Sequence, residues 1–316
     1  MIYTRMLVAA SMALWISLSS AGPLRAVDLY VSNYSTNSVQ KLDGTTASNA
    51  SGWTNPSVAG AVGVGVDAAG YLYAVSQSNG TLRKYDSSGN RVTSFEVTGL
   101  SNPRGVAIDS SGNSYIANGT SGLVSVYNAS GTQVNADLLG FAVGSPYGVA
   151  LDYSGNLYVA AQSTGIIYKV DKTTGANPGG WSNITGYDSP TGLAVSSSGN
   201  LYVSSYNGGY LTQFDATGTY VPWANGQGPR FNGGALPGPE GLAVEGDNLY
   251  VSLQNTVGKY SLTTALPVTS WTNPTIKGAD MVAVFVAVPE PSTYALGAIA
   301  TGVMATIARR RKARKV

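Results

Sequence analysis

"PRGVAIDSSGNSYIA", residues 103–117, decides the fold because the chain repeats it. It returns as "PYGVALDYSGNLYVA" at 146–160, "PTGLAVSSSGNLYVS" at 190–204 and "PEGLAVEGDNLYVS" at 239–252, and a worn copy, "AVGVGVDAAGYLYAV", fills 61–75. In each copy, two short apolar runs rich in β-branched and aromatic residues flank a connection of the Asp-x-x-Gly-Asn kind. Such runs suit a pleated, half-buried surface, and the turn residues supply side-chain-to-backbone bonds and a positive φ. Each copy therefore predicts a β-hairpin.

The glycines at the third position of each copy, Gly63, Gly105, Gly148, Gly192 and Gly241, are spaced by 42, 43, 44 and 49 residues. Between copies lie "TLRKYDSSGNRVTSF", "LVSVYNASGTQV", "IIYKVDKTTGANPGGW" and "YLTQFDATGTYVPW". Each offers an alternating strand, a second turn and a fourth segment. Four antiparallel strands in about 45 residues form one blade, which buries its faces only by stacking on neighbours. Strands of the "LYV" type start at Leu29, Leu72, Ser114, Leu157, Leu201 and Leu249. The expectation is an all-β, six-bladed β-propeller of four-stranded blades over 27–287. A spare strand, "MVAVFVA" from Met281, is expected to pair with the N-terminal strands and close the ring. Closure removes the edges that an open array exposes.

The pattern "PxGVAxDxxGNxYVA", followed by a strand and an Asp/Asn-x-x-Gly turn, is similar to NHL-repeat propellers over nearly the whole body. That resemblance implies a ring with loops at its two mouths.

The ends differ from the body. Residues 1–26 carry Arg5, an apolar run from Met6 to Leu18 and then small residues, with cleavage expected after Ala21 or Ala26; this is the pattern of a secretory signal peptide. Residues 292–308 hold no charge and, as a helix, would span roughly 26 Å, enough for a thin bilayer. Arg309, Arg310, Arg311, Lys312, Arg314 and Lys315 follow, a cluster expected to stay on the cytoplasmic side of a transmembrane helix. Pro289, Glu290 and Pro291 precede it, and the two prolines break any helix continuing upstream. Over 288–316 this order of parts resembles the PEP-CTERM sorting signal. The resemblance implies an exported protein, anchored through a transient membrane helix, cleaved by an exosortase-type enzyme and delivered to the cell surface or the extracellular matrix.

Composition narrows the chemistry. Charged residues are 11% of the chain, and 27–287 holds ten Lys/Arg against fifteen Asp/Glu, so the body offers no electrostatic footprint for nucleic acid. The absence of Cys removes disulfides and thiolate chemistry, and the absence of His removes the commonest general base and zinc ligand. Asp67, Asp109 and Asp152 open first hairpin turns, and Asp86, Asp171 and Asp215 open second ones, so they are expected to cap turns rather than bind metal. Trp53, Trp181, Trp223 and Trp271 recur near the fourth strand, where blade packing accounts for them and sugar stacking is the competing use.

The residue between Pro and Gly varies while its frame repeats: Val62, Arg104, Tyr147, Thr191 and Glu240. These five are expected at one rim of the channel as candidate binding residues. The resulting expectation is an exported, non-enzymatic scaffold with no cofactor and no metal, binding extracellular polysaccharide or an envelope protein. Propellers of this shape also host calcium-dependent lactonases and zinc-dependent lyases with a channel metal. For such an enzyme Glu240 is the one carboxylate placed at the rim.

Overall fold

The computed structural model describes residues 27–44, 46–223, 231, 236–271, 276 and 279–285. The expected signal peptide, Pro-Glu-Pro motif, membrane helix and basic tail lie outside them. Among the described residues no helix is long and apolar enough to cross a membrane.

The chain opens with the hairpin β1 (Asp28–Asn33) and β2 (Ser38–Asp43). Blade 1 is β3 (Ala61–Val66), β4 (Leu72–Ser76), β5 (Thr81–Tyr85) and β6 (Arg91–Val97). Blade 2 is β7 (Pro103–Ile108), β8 (Ser114–Asn118), β9 (Leu123–Tyr127) and β10 (Gln133–Asn135). Blade 3 has three strands, β11 (Pro146–Leu151), β12 (Asn156–Ala161) and β13 (Ile166–Asp171). Blade 4 is β14 (Pro190–Val195), β15 (Leu201–Ser205), β16 (Tyr210–Phe214) and β17 (Tyr220–Val221). Blade 5 is β18 (Pro239–Glu245), β19 (Asn248–Leu253), β20 (Thr256–Ser261) and β21 (Pro267–Trp271). The last strand, β22 (Ala279–Phe285), pairs antiparallel with β1, giving a three-stranded sheet β22–β1–β2 from both ends of the described chain.

The expectation of six equal four-stranded blades is therefore corrected. Five blades are contiguous repeats, and the sheet that closes the ring is a composite of three strands. Blade 3 departs as well, since only the bridge between Ile167 and Ile184 stands where a fourth strand would pair. The segment after β13 reads Asn177-Pro178-Gly179-Gly180, with positive φ at both glycines, a composition that turns instead of extending. The inferred closure by the strand at Met281 is what β22 does.

The core lies between sheets. On the second strand of each unit, adjacent residues point to opposite faces: Leu72 packs toward the closing sheet, and Tyr73 toward blade 2. Leu157 and Tyr158, Leu201 and Tyr202, and Leu249 and Tyr250 repeat this division, each pair feeding two neighbouring apolar clusters. The "LY" dipeptide is thus a mortar joint for both sides of a blade. Between blade 5 and the closing sheet, Tyr250 and Val257 meet Leu29, Val31 and Leu42, so the seam is as apolar as the internal joints.

The turns form as their residues dictate. Asp67 Oδ1 accepts the Ala69 and Tyr71 amides at 3.0 and 2.9 Å, and Asp109, Asp152, Asp86 and Asp215 make the same pair of bonds. Asp171 accepts the Thr173 and Thr174 amides. All six are turn caps, as the sequence implied.

Candidate functional site

The five Pro-x-Gly segments begin the innermost strands, which touch in the order β3, β7, β11, β14, β18, β22 and back to β3. In every blade the first pairing shifts register across the x and Gly positions, for example between Pro146 and Val149, and between Pro190 and Leu193. A bulge of this kind re-aims a side chain, and here it brings the x residue to the channel mouth.

The glycines are fixed by close approach of the backbones. A Cβ on Gly63 would meet the Arg104 carbonyl, one on Gly105 the Tyr147 carbonyl, one on Gly148 the Thr191 carbonyl and one on Gly192 the Glu240 carbonyl. Each glycine lies against the x residue of the next blade. Buried hydroxyls tie the same backbones together: Ser204 Oγ accepts the Gly192 amide at 2.7 Å and donates to the Glu240 carbonyl at 2.7 Å, and Ser32 Oγ donates to the Val62 carbonyl at 2.5 Å.

The five x residues meet in a particular way. Tyr147, on blade 3, packs in one apolar cluster with Val62 of blade 1. The Arg104 guanidinium of blade 2 stands 4.7 Å over its ring, and its hydroxyl donates to Glu240 Oε2 of blade 5 at 3.3 Å. One side chain thus has partners on three other blades and spans the mouth. Thr191 is buried, with its hydroxyl 3.1 Å from the Pro239 carbonyl and 3.0 Å from Ser204 Oγ. Val62, Tyr147 and Thr191 are buried, while Arg104 and Glu240 are partly exposed. The mouth presents a cation and a carboxylate on either side of an aromatic plug.

Among the described tryptophan side chains, Trp181 and Trp223 are buried and Trp53 is half-buried. Trp181 packs edge-on to Tyr158 at 5.5 Å, Trp223 lies tilted against Tyr202 at 5.9 Å, and both are buried. Trp53 meets Tyr30 edge-on at 5.3 Å. Lysines in register with these tyrosines add cation–π contacts, Lys41 to Tyr30 and Trp53 and Lys169 to Tyr158 and Trp181. The side chain of Trp271 lies outside the described residues.

Charge on the opposite face is spent on structure. Burial works against ionisation of Asp109, but hydrogen bonds from Lys172 (2.9 Å) and Asn113 outweigh it and hold the carboxyl below its usual value. Burial is also the main cause pushing the Tyr115 phenol up, with Asp109 beside it adding to the shift. Among the described residues no group of three or more acidic side chains is placed to hold a metal ion.

One feature of the Pro-x-Gly face had no sequence signal. Segments of blades 3 and 4 border a polar recess of about 420 Å³, lined by Gln162, Ser163, Thr164, Asp188, Ser189 and Asn207 with Tyr187 and Gly165.

A ring of four-stranded and three-stranded sheets around a plugged mouth defines a β-propeller, and solved structures agree. The chain is similar to a chain of the nidogen/laminin complex, with a TM-score of 0.65 at 15% identity over 83% of this chain and 99% of that one. It is also similar to a gluconolactonase of Xanthomonas campestris, with a TM-score of 0.56 at 14% identity over 69% and 77%, and to a virginiamycin B lyase of Staphylococcus aureus, with a TM-score of 0.51 at 14% identity over 68% and 70%. These likenesses establish the fold. No curated protein matches the chain in sequence.

The particular feature that places the chain in a cell is at its end. Residues 287–312 match the PEP-CTERM protein-sorting motif. The chain is accordingly an exported propeller handled by an exosortase and held transiently in the membrane before surface placement.

Proposed function

We propose that this protein is a non-enzymatic binding scaffold, delivered to the cell surface or extracellular polysaccharide matrix, whose working surface is the Pro-x-Gly face. The observation that carries the reading is Tyr147, which fills the channel mouth and engages Val62, Arg104 and Glu240 from three other blades. Catalysis needs groups that converge on open space with tuned proton affinities. Here the varied residues are committed to one another, and a rigid face remains on which side chains change from blade to blade.

Binding supports this reading, and turnover opposes it. Full-length chain immobilised on resin and offered the envelope and matrix fractions of its host should retain a polysaccharide or an envelope protein. Retention of neither would remove the scaffold reading. Lactone hydrolysis by the full-length chain, abolished in Glu240→Gln, would replace it with an enzyme.

A further inference from the structure

The recess lies where the β12–β13 turn of blade 3 faces the segment entering β14 and the β15–β16 turn of blade 4. In blade 2, two backbone bonds tie the β8–β9 turn to the segment entering β7: Gly119 N–H to the Asn102 carbonyl and Thr120 N–H to the Ser101 carbonyl, at 3.0 and 3.3 Å. In blade 3, Gln162 N–H and Ser163 N–H make the same pair of bonds to Ser145 and Gly144, at 3.1 and 3.2 Å. In blade 1 Gln77 N–H keeps the first bond, to the Gly60 carbonyl at 2.9 Å, and Ser76 Oγ rather than a backbone amide reaches the Ala59 carbonyl; in blade 4 likewise the first bond persists, Tyr206 N–H to the Ser189 carbonyl at 3.0 Å, but among the described residues no backbone bond joins Asn207 to Asp188. Instead Ser205 Oγ donates to the Asp188 carbonyl, and the Asn207 amide reaches Asp188 Oδ1 at a long 3.4 Å. Asp188, moreover, stands where blades 1, 2 and 3 carry Ala59, Ser101 and Gly144. The joint itself stays tied, Tyr187 N–H to the Gly165 carbonyl at 3.1 Å as Val143 N–H is to Gly122 at 2.8 Å, and what sets it apart is the carboxylate.

The lining chemistry then selects a ligand class. Among the described residues no hydrogen bond engages the Gln162 side-chain amide or the Ser163 and Ser189 hydroxyls. Amides and hydroxyls both donate and accept, and a carboxylate accepts twice. Neighbouring hydroxyls of a sugar need this mixture, each being donor and acceptor at once. Tyr187 borders the recess while its ring packs against Tyr210 and Phe214, so the lining is mainly polar. A peptide anchored by apolar side chains would find no apolar pocket here, and one carboxylate without a lining cation disfavours an anionic ligand. The volume is within the range of small-ligand sites.

We propose that this recess is a subsite for an uncharged saccharide, with Asp188 and the Asn207 and Gln162 amides gripping adjacent hydroxyls. The assignment rests on the Pro-x-Gly face being a binding face and names its ligand class. The test uses full-length chain in detergent, titrated calorimetrically with uncharged glucan, mannan and galactan oligosaccharides and, separately, with unstructured peptides. An oligosaccharide should bind, and Asp188→Ala and Asn207→Ala should each weaken it about ten-fold. Gln77→Ala, at the corresponding turn position of blade 1, should leave binding unchanged. Asp188 is exposed, so its loss should not disturb the fold; should Asp188→Ala lower the melting temperature, Asp188→Asn keeps the shape and should still weaken binding. Oligosaccharide binding indifferent to Asp188 and Asn207 would overturn the subsite and leave the binding-face reading standing. Peptide binding lost in Asp188→Ala would also overturn it, and binding of neither class would overturn both.

Discussion

The α-carbon of Gly148 lies against the main-chain carbonyl of Thr191 on the next blade, leaving no room for a side chain. The atom in the way is backbone, so it cannot swing aside. Gly148→Ala must therefore spread blades 3 and 4 at the axis, at a cost of about 3 kcal/mol in urea unfolding. Gly155 makes the useful contrast. It sits in a first turn with φ of 88° and nothing within 4 Å of its absent Cβ, so Gly155→Ala pays only backbone strain, about 1 kcal/mol. Equal losses at the two sites would refute the close-approach account of the repeated glycines.

Tyr147 holds the mouth by packing more than by its hydroxyl. Tyr147→Phe removes one long bond to Glu240 and should lower stability by about 1 kcal/mol, whereas Tyr147→Ala empties a buried ring site and should cost about 3 kcal/mol. Thermal melts of both variants decide the ranking. If Phe is as damaging as Ala, the polar contact, not the ring, keeps the channel closed.

What could be read beforehand follows sequence distance. Turn caps such as Asp67 and Asp109 act on amides two and four residues away, so the local pattern sufficed for them. The "LY" pairs were legible for the same reason, because alternation along a strand assigns neighbours to opposite faces. The third strand-poor blade was less so, since Pro178-Gly179-Gly180 sits inside an otherwise strand-like segment. Tyr147 and Glu240 are 93 residues apart and meet only because the ring curves, so the sequence could name both as rim residues without showing that they touch. The recess left no trace, because it is lined by segments of blades 3 and 4 that are far apart in the chain and meet only in the folded ring.

The Asp109–Lys172 pair links blade 2 to blade 3 and makes a pH prediction. The Asp109 carboxyl is held below its ordinary value of 3.8 in the folded chain. Its stabilisation is thus complete above that value and is lost as pH falls below it, through the depressed folded-state value. Lys172→Met leaves a carboxylate whose side chain is 4% exposed without its cation, and should cost about 1–2 kcal/mol at neutral pH. The difference between variant and wild type should shrink as the solution is acidified below pH 4, where the carboxylate neutralises. Urea midpoints recorded across that range test the sign; a gap that widens on acidification would contradict the pairing.

Closure by β22 is the last test, because it separates a ring from a stack of hairpins. β22 pairs with β1 from Asp28↔Phe285 to Asn33↔Ala279, and it also adjoins β18 and β3, the inner strands on either side. Removing 279–316 leaves β1 with an unpaired edge and takes away the strand that touches both neighbours. Exposed edges of this kind recruit other chains. The truncated protein should elute as oligomers or aggregate, and amide hydrogens of β1 and β2 should exchange within the range of mobile loops instead of near the global limit. Because that deletion also removes the sorting motif, the matched control ends at residue 286, retaining β22 while losing the tail. The control should stay monomeric with β1 protected; if both truncations behave alike, the closing strand contributes nothing to the ring and the two ends of the chain meet without holding it shut.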